Sequence, residues 1–169
     1  MDAVEAFNSL PAGRLEEDLL ACCAVPAWAA GIVAGRPYPD RAAIAAAADA
    51  WARDLSWAEV LKGLSAHPRI GERATGSSAG AAWSRREQSA AESSADDGTR
   101  AALIAANQAY EKKFGHVFLI FASGRSQAEI LAAARQRLAH DEETERPVVI
   151  DQLRRIALLR LDRLLDALG

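Results

Sequence analysis

His67, standing directly before Pro68, is the residue of this chain best placed to move a proton. The proline ring disfavours the α conformation in the residue before it, so His67 should end a helix in a fixed, extended backbone. A directed imidazole is the first requirement of a general acid or base. Downstream, Ser84-Arg85-Arg86-Glu87-Gln88 puts a carboxylate and an amide in the first turn of an expected helix. Free backbone N–H groups and the positive end of the helix dipole favour an anionic ligand there. A carboxylate near His67 would favour the imidazolium, raise its pKa and make it an acid usable near neutral pH. The same residues have a bland reading, which composition alone favours. Ser84 and Glu87 have the spacing of a capping box, and a histidine before a proline is more often structural than catalytic.

Two further polar residues are candidates. Asn107 falls in the apolar stripe of Leu103, Tyr110 and Phe114, so its amide either braces a loop or meets a ligand. Arg125 follows the apolar run 117–121 and could hold a carboxylate in two-pronged fashion or simply be solvated. His116 and His140 sit at helix ends, where surface capping is the expected role, and the four tryptophans read as core. Metal and cofactor motifs are missing: there is no His-Glu-x-x-His, Cys-x-x-Cys, dinucleotide fingerprint or nucleophile elbow. Gly71 to Ser78 mimics a phosphate loop, but Ser77 stands where the lysine is needed. An enzyme built on this chain is expected to use no metal and no organic cofactor.

The elements that must position these residues are helical almost throughout. Helices are expected over residues 12–24 and 26–34, the second opening on Pro26. Asp40 caps a third to about Leu55, and Ser56 with Glu59 opens a fourth to near Ala66. Pro68 to Trp83 reads as a loop and Ser93 to Gly98 as a connection, before a long helix to Phe114 closed by Gly115. Val117 to Phe121 is too short for periodicity to settle and could be extended and buried. Ser126 and Glu129 open a helix to about Ala139. The last helix, 142–168, carries Ile150, Leu153, Ala157, Leu161, Leu164 and Leu168 as one stripe, widened by Leu158 and Leu165. Such a face suits a central helix or a subunit contact. The fold class is all-α, one domain over residues 1–169, a helical bundle of about seven to nine helices.

With half its 169 residues apolar and a net charge of −3, the chain can build a core and is no phosphate-dominated nucleic-acid binder. Neither a membrane-spanning run nor a basic secretory leader is visible, so a soluble, cytoplasmic protein is expected. The adjacent Cys22 and Cys23 point apart on a helix and read as buried free thiols.

Taken in order, His67-Pro68-Arg69-Ile70-Gly71, Ser84-x-x-Glu87-Gln88, Asn107-x-x-Tyr110-x-x-x-Phe114-Gly115, Phe118 through Gly124-Arg125, and Ile130 leading to Arg137-Leu138 form a specific combination. With it the chain resembles, over almost its whole length, the 2-oxo-4-hydroxy-4-carboxy-5-ureidoimidazoline (OHCU) decarboxylases, which complete the conversion of urate to (S)-allantoin. The resemblance implies an all-helical homodimer that acts on a small ureidoimidazoline without a cofactor. It implies His67 as proton donor, with Glu87 a second catalytic candidate. Pro68, the segment Ser84 to Gln88 (Arg85 and Arg86 included), and Leu119, Ile120, Phe121, Ala122 and Ser123 would line the substrate pocket. Ser89-Ala90-Ala91 departs from the usual Ala-Gly, His140 stands where Asn is common, and Pro147 interrupts the stretch after Glu145. Two alternatives remain: a helical interaction module that binds through its last helix, and a lyase or hydrolase for another ureido compound.

Overall fold

Local capping chemistry sets most of the helix starts. In the computed structural model, which describes residues 1–67, 83, 86, 87 and 97–169, eight helices of seven residues or more are delimited and the described residues are all-α. They are α1 (Ala3–Ser9), α2 (Ala12–Cys22), α3 (Pro26–Ala34), α4 (Arg41–Arg53), α5 (Trp57–Leu64), α6 (Asp97–Phe114), α7 (Gln127–Leu138) and α8 (Glu142–Leu168). Ahead of α5, Ser56 Oγ accepts the Glu59 N–H at 3.2 Å and Glu59 Oε1 accepts the Ser56 N–H at 2.9 Å. Ser126 and Glu129 repeat this reciprocal pair ahead of α7, and Asp40 accepts the Ala43 N–H at 2.8 Å ahead of α4.

Several boundaries differ from those expected. Helix α1 was not anticipated; Asp2 and Glu5 cap it by the same box, with bonds of 2.8 and 3.2 Å. Helix α6 starts at Asp97, so Gly98 lies inside its first turn, where a poor helix former costs least and an aspartate suits the dipole. It ends at Gly115, whose φ of +79° is a left-handed conformation that glycine adopts without strain. Pro147 sits within α8 without ending it. The carbonyl that loses a partner there belongs to Glu143, which is exposed to solvent. Of the expected loop from Pro68 to Trp83, Trp83 is helical and the rest lies outside the described residues, as does Ser84 of the second capping box.

The chain divides into two compact units, residues 1–63 with 153–169 and residues 64–152. In the first, Phe7, Leu15, Leu19, Trp28, Ile32, Ile44 and Val60 are fully buried, and the Trp28 indole N–H donates to the Ala48 carbonyl at 3.0 Å. Its part of α8 buries Leu153, Ile156, Ala157, Leu161 and Leu165, so this stripe is core. Each such leucine contributes about 1.5–3 kcal/mol. Trp51 corrects the reading of all tryptophans as core. It is 40% exposed and its ring covers Gly31, leaving no room there for a β-carbon. Cys22 and Cys23 are buried and free, and burial pushes both thiols up to about 12, which makes them inert.

Asp49 gives the first unit a pH-sensitive tie. Its two carboxylate oxygens accept from Arg53 Nε and Arg154 Nη1, each at 2.8 Å. Burial works against the charged form, but these bonds and charges outweigh it and hold the carboxyl below its ordinary value. A depressed folded-state pKa means stability that is present above the unfolded pKa and lost as pH falls through the folded one. Asp49→Asn should therefore lower the thermal midpoint by a few degrees at neutral pH, and the gap to the parent chain should close below about pH 4. Melting curves across that range test the sign; a gap that widens in acid contradicts it.

In the second unit, Leu103, Ala106 and Tyr110 of α6 pack against Ile130, Leu131 and Ala134 of α7, with Phe118, Ile120 and Ala122 between them in sequence. No helix among the described residues is long and apolar enough to cross a membrane.

Candidate active site

His67 follows α5 by a single turn, its N–H donating to the Leu64 carbonyl at 3.0 Å, and its residue is half-buried. It is thus neither sealed in the interior nor fully in water. Glu87 is helical and only 9% exposed, an unusual setting for a carboxylate. Arg86 beside it is exposed. Pro68, Ser84, Arg85 and Gln88 lie outside the described residues. His67, Glu87 and residues 119–123 all belong to the second unit.

The segment 117–122 is neither helix nor strand, and Phe118, Leu119, Ile120 and Ala122 are buried. Buried backbone without secondary structure must find other partners for its polar groups. Three side chains supply them. Arg137 Nη1 donates to the Leu119 carbonyl at 2.6 Å, Gln152 Oε1 accepts the Phe121 N–H at 2.8 Å, and Arg125 Nε donates to the Phe121 carbonyl at 3.0 Å. Arg125 is therefore tied to its own chain through one N–H. Leu119, Ile120 and Ala122 are buried while Phe121 and Ser123 are half-buried. Asn107 is 4% exposed on α6, as its place in the stripe predicts.

Behind this segment lies a charged cluster not anticipated from the sequence. Glu145 is 1% exposed and Arg137 5%. Arg137 Nε donates to Glu145 Oε1 at 2.6 Å, and Nη2 makes an ion-pair contact with the same oxygen at 2.5 Å. Tyr110 donates its hydroxyl to that oxygen at 2.8 Å, and His140 Nδ1 lies 2.9 Å from Oε2. A carboxylate only accepts, so this ring nitrogen carries its proton. The surface capping role expected of His140 is thereby corrected. The guanidinium also lies 4.6 Å from the Phe118 ring centre and 5.6 Å from that of Tyr110. Burial, then the bond to Glu145, pushes the Tyr110 phenol above its ordinary range, with Arg137 opposing. Among the described residues no three His, Cys, Asp or Glu side chains are grouped to hold a metal.

Known proteins share this architecture. An OHCU decarboxylase solved in the presence of (S)-allantoin superposes with a TM-score of 0.75 at 29% identity, covering 89% of this chain and 98% of that one. A solved (S)-allantoin synthase shares the fold at a TM-score of 0.69 and 22% identity, covering 95% of this chain and 53% of that one. The class is thus that of the all-α carboxy-lyases. The chain belongs to the OHCU decarboxylase family, whose model it matches over residues 8–162. It is 31% identical over 127 residues to the 2-oxo-4-hydroxy-4-carboxy-5-ureidoimidazoline decarboxylase of Haloferax volcanii, covering 75% of this chain and 73% of that protein. The enzyme of that name from Amia calva is 29% identical, covering 83% of this chain and 81% of its own. The uric acid degradation bifunctional protein TTL of Arabidopsis thaliana is 32% identical over 88% of this chain, which spans only 47% of that protein.

Proposed function

We propose that this chain, as one domain over residues 1–169, decarboxylates OHCU to (S)-allantoin, with His67 as proton donor. The family match over residues 8–162 carries the reading. The half-buried histidine at the end of α5, the buried Glu87 and the tied segment at 119–123 support it. In the substrate a carboxylate and a hydroxyl share a ring carbon that adjoins a C=N bond. When the carbon–carboxylate bond breaks, its electron pair forms a double bond between the two ring carbons, and the C=N pair moves onto nitrogen. The substrate is its own electron sink. The His67 imidazolium then gives its proton to the former imine carbon, the hydroxyl becomes a carbonyl, and the hydroxyl proton passes to the ring nitrogen. One carbon dioxide leaves and one proton enters.

Two tasks fall to the chain. The carboxylate must stand out of the plane of the π system, and one face must receive the proton. Glu87 orients His67 or binds the ring hydroxyl and ureido N–H groups. Pro68, Ser84 to Gln88 and the N–H groups of Ile120 and Ala122 hold the ureido and imidazolone edges. General acid help is worth about 10²–10⁴-fold, and positioning can add more. A homodimer working in the cytoplasm completes the reading. The test adds the chain to freshly oxidised urate with the preceding ring-opening step supplied enzymatically, and follows ultraviolet decay and circular dichroism. Accelerated decay to one enantiomer, (S), is expected. Racemic product formed at the spontaneous rate overturns the reading.

A further inference from the structure

We infer that Arg137 and Gln152 are positioning residues for substrate binding, acting through the backbone of residues 119–121. The inference rests on the functional reading above, in which that segment lines the substrate pocket. An irregular buried segment has no ladder to fix it, so its geometry is only as firm as the groups that take its polar atoms. Here the clamp acts on alternate residues: the Leu119 carbonyl goes to Arg137 and the Phe121 N–H to Gln152. The Ile120 N–H shares its peptide plane with the clamped Leu119 carbonyl, so the clamp aims this amide directly. The next plane carries the Phe121 N–H held by Gln152, which fixes the residue from which the Ala122 N–H projects, in a plane whose carbonyl Arg125 holds. Arg137 is itself immobilised by Glu145 on α8 and by the Phe118 and Tyr110 rings. Gln152 lies on the same helix, two turns further along, and holds the other end of the clamp. Helix α8 thus fixes both ends of a three-residue stretch, one through a guanidinium and one directly.

The amides so aimed meet the carbonyl edge of the substrate before and after carbon dioxide leaves. Their loss should weaken ground state and transition state alike, which raises KM and leaves kcat nearly unchanged. Gln152 is half-buried, so its replacement should fold. In the coupled urate assay, Gln152→Leu is expected to raise KM roughly tenfold with kcat within about threefold of the parent. Gln152→Glu keeps an acceptor for the Phe121 N–H and should bring KM back to within about threefold. Arg137→Lys, if it folds, should also raise KM. An unchanged KM in Gln152→Leu overturns the inference, as does an equal rise in Gln152→Leu and Gln152→Glu. If the parent chain itself shows no turnover, the functional reading fails. Amide hydrogen exchange then decides the clamp: faster exchange at Ile120 to Ala122 in Gln152→Leu supports it, and unchanged exchange overturns it.

Discussion

His67→Asn is expected to fold as the parent chain does and to lose about 10²–10⁴-fold in kcat, with KM little changed. The turn that places His67 is made by its backbone N–H and the Leu64 carbonyl, which the substitution leaves alone. Asparagine is a smaller polar side chain in a half-buried position, so the thermal midpoint should move by no more than a few degrees. What is removed is the imidazolium, which acts only once the carbanionic intermediate begins to form. A group used in the transition state and not in the ground state shows its loss in kcat. A second signature separates this role from simple substrate binding. Decarboxylation without the acid leaves an intermediate that water can protonate from either face, so the residual product should approach a racemate. Near-parental turnover with full (S) product would remove His67 from the mechanism. Glu87→Gln is a useful companion, because orientation of His67 and contact with the ureido group lower activity in different ways, through kcat and KM respectively.

What could be read from the sequence was what depends on near neighbours. Ser56 with Glu59 and Ser126 with Glu129 open their helices as their three-residue spacing predicts, because both bonds of a capping box close within one turn. Asp2 with Glu5 has that spacing too, and the box closes there in the same way. The burial of the run at 118–120 was legible from its apolarity, but so short a run leaves its non-helical backbone open, and what holds it was not visible at all. Its partners lie 18 and 31 residues away, at Arg137 and Gln152, and only tertiary packing brings them together. Glu145 shows the limit most clearly. In sequence it is one acid among Glu142, Glu143 and Glu145, all near a helix start where acids are ordinary. Nothing local distinguishes the one that is 1% exposed, because its burial is set by Tyr110, Arg137 and His140 converging on it.

Glu145→Ala should be the most destabilising single substitution tested, by about 3–5 kcal/mol, because it leaves a cation buried without its counter-charge. Arg137 would keep the Phe118 and Tyr110 rings and the Leu119 carbonyl, but neither replaces a carboxylate at 2.6 Å. The Tyr110 hydroxyl and His140 would lose the same acceptor. For a domain of this size the thermal midpoint should fall by about 10 °C, and the chain's margin of roughly 5–15 kcal/mol makes low yield a further symptom. The double variant Arg137→Met, Glu145→Leu should be distinctly more stable than Glu145→Ala, since apolar groups of similar size restore packing and leave no charge stranded. Its catalysis should not recover with its stability, because methionine cannot donate to the Leu119 carbonyl. Midpoint and KM would then separate, the first returning toward the parent value and the second staying high. If the double variant is no more stable than Glu145→Ala, the cost lies in lost volume and hydrogen bonds, and the stranded charge is not its cause.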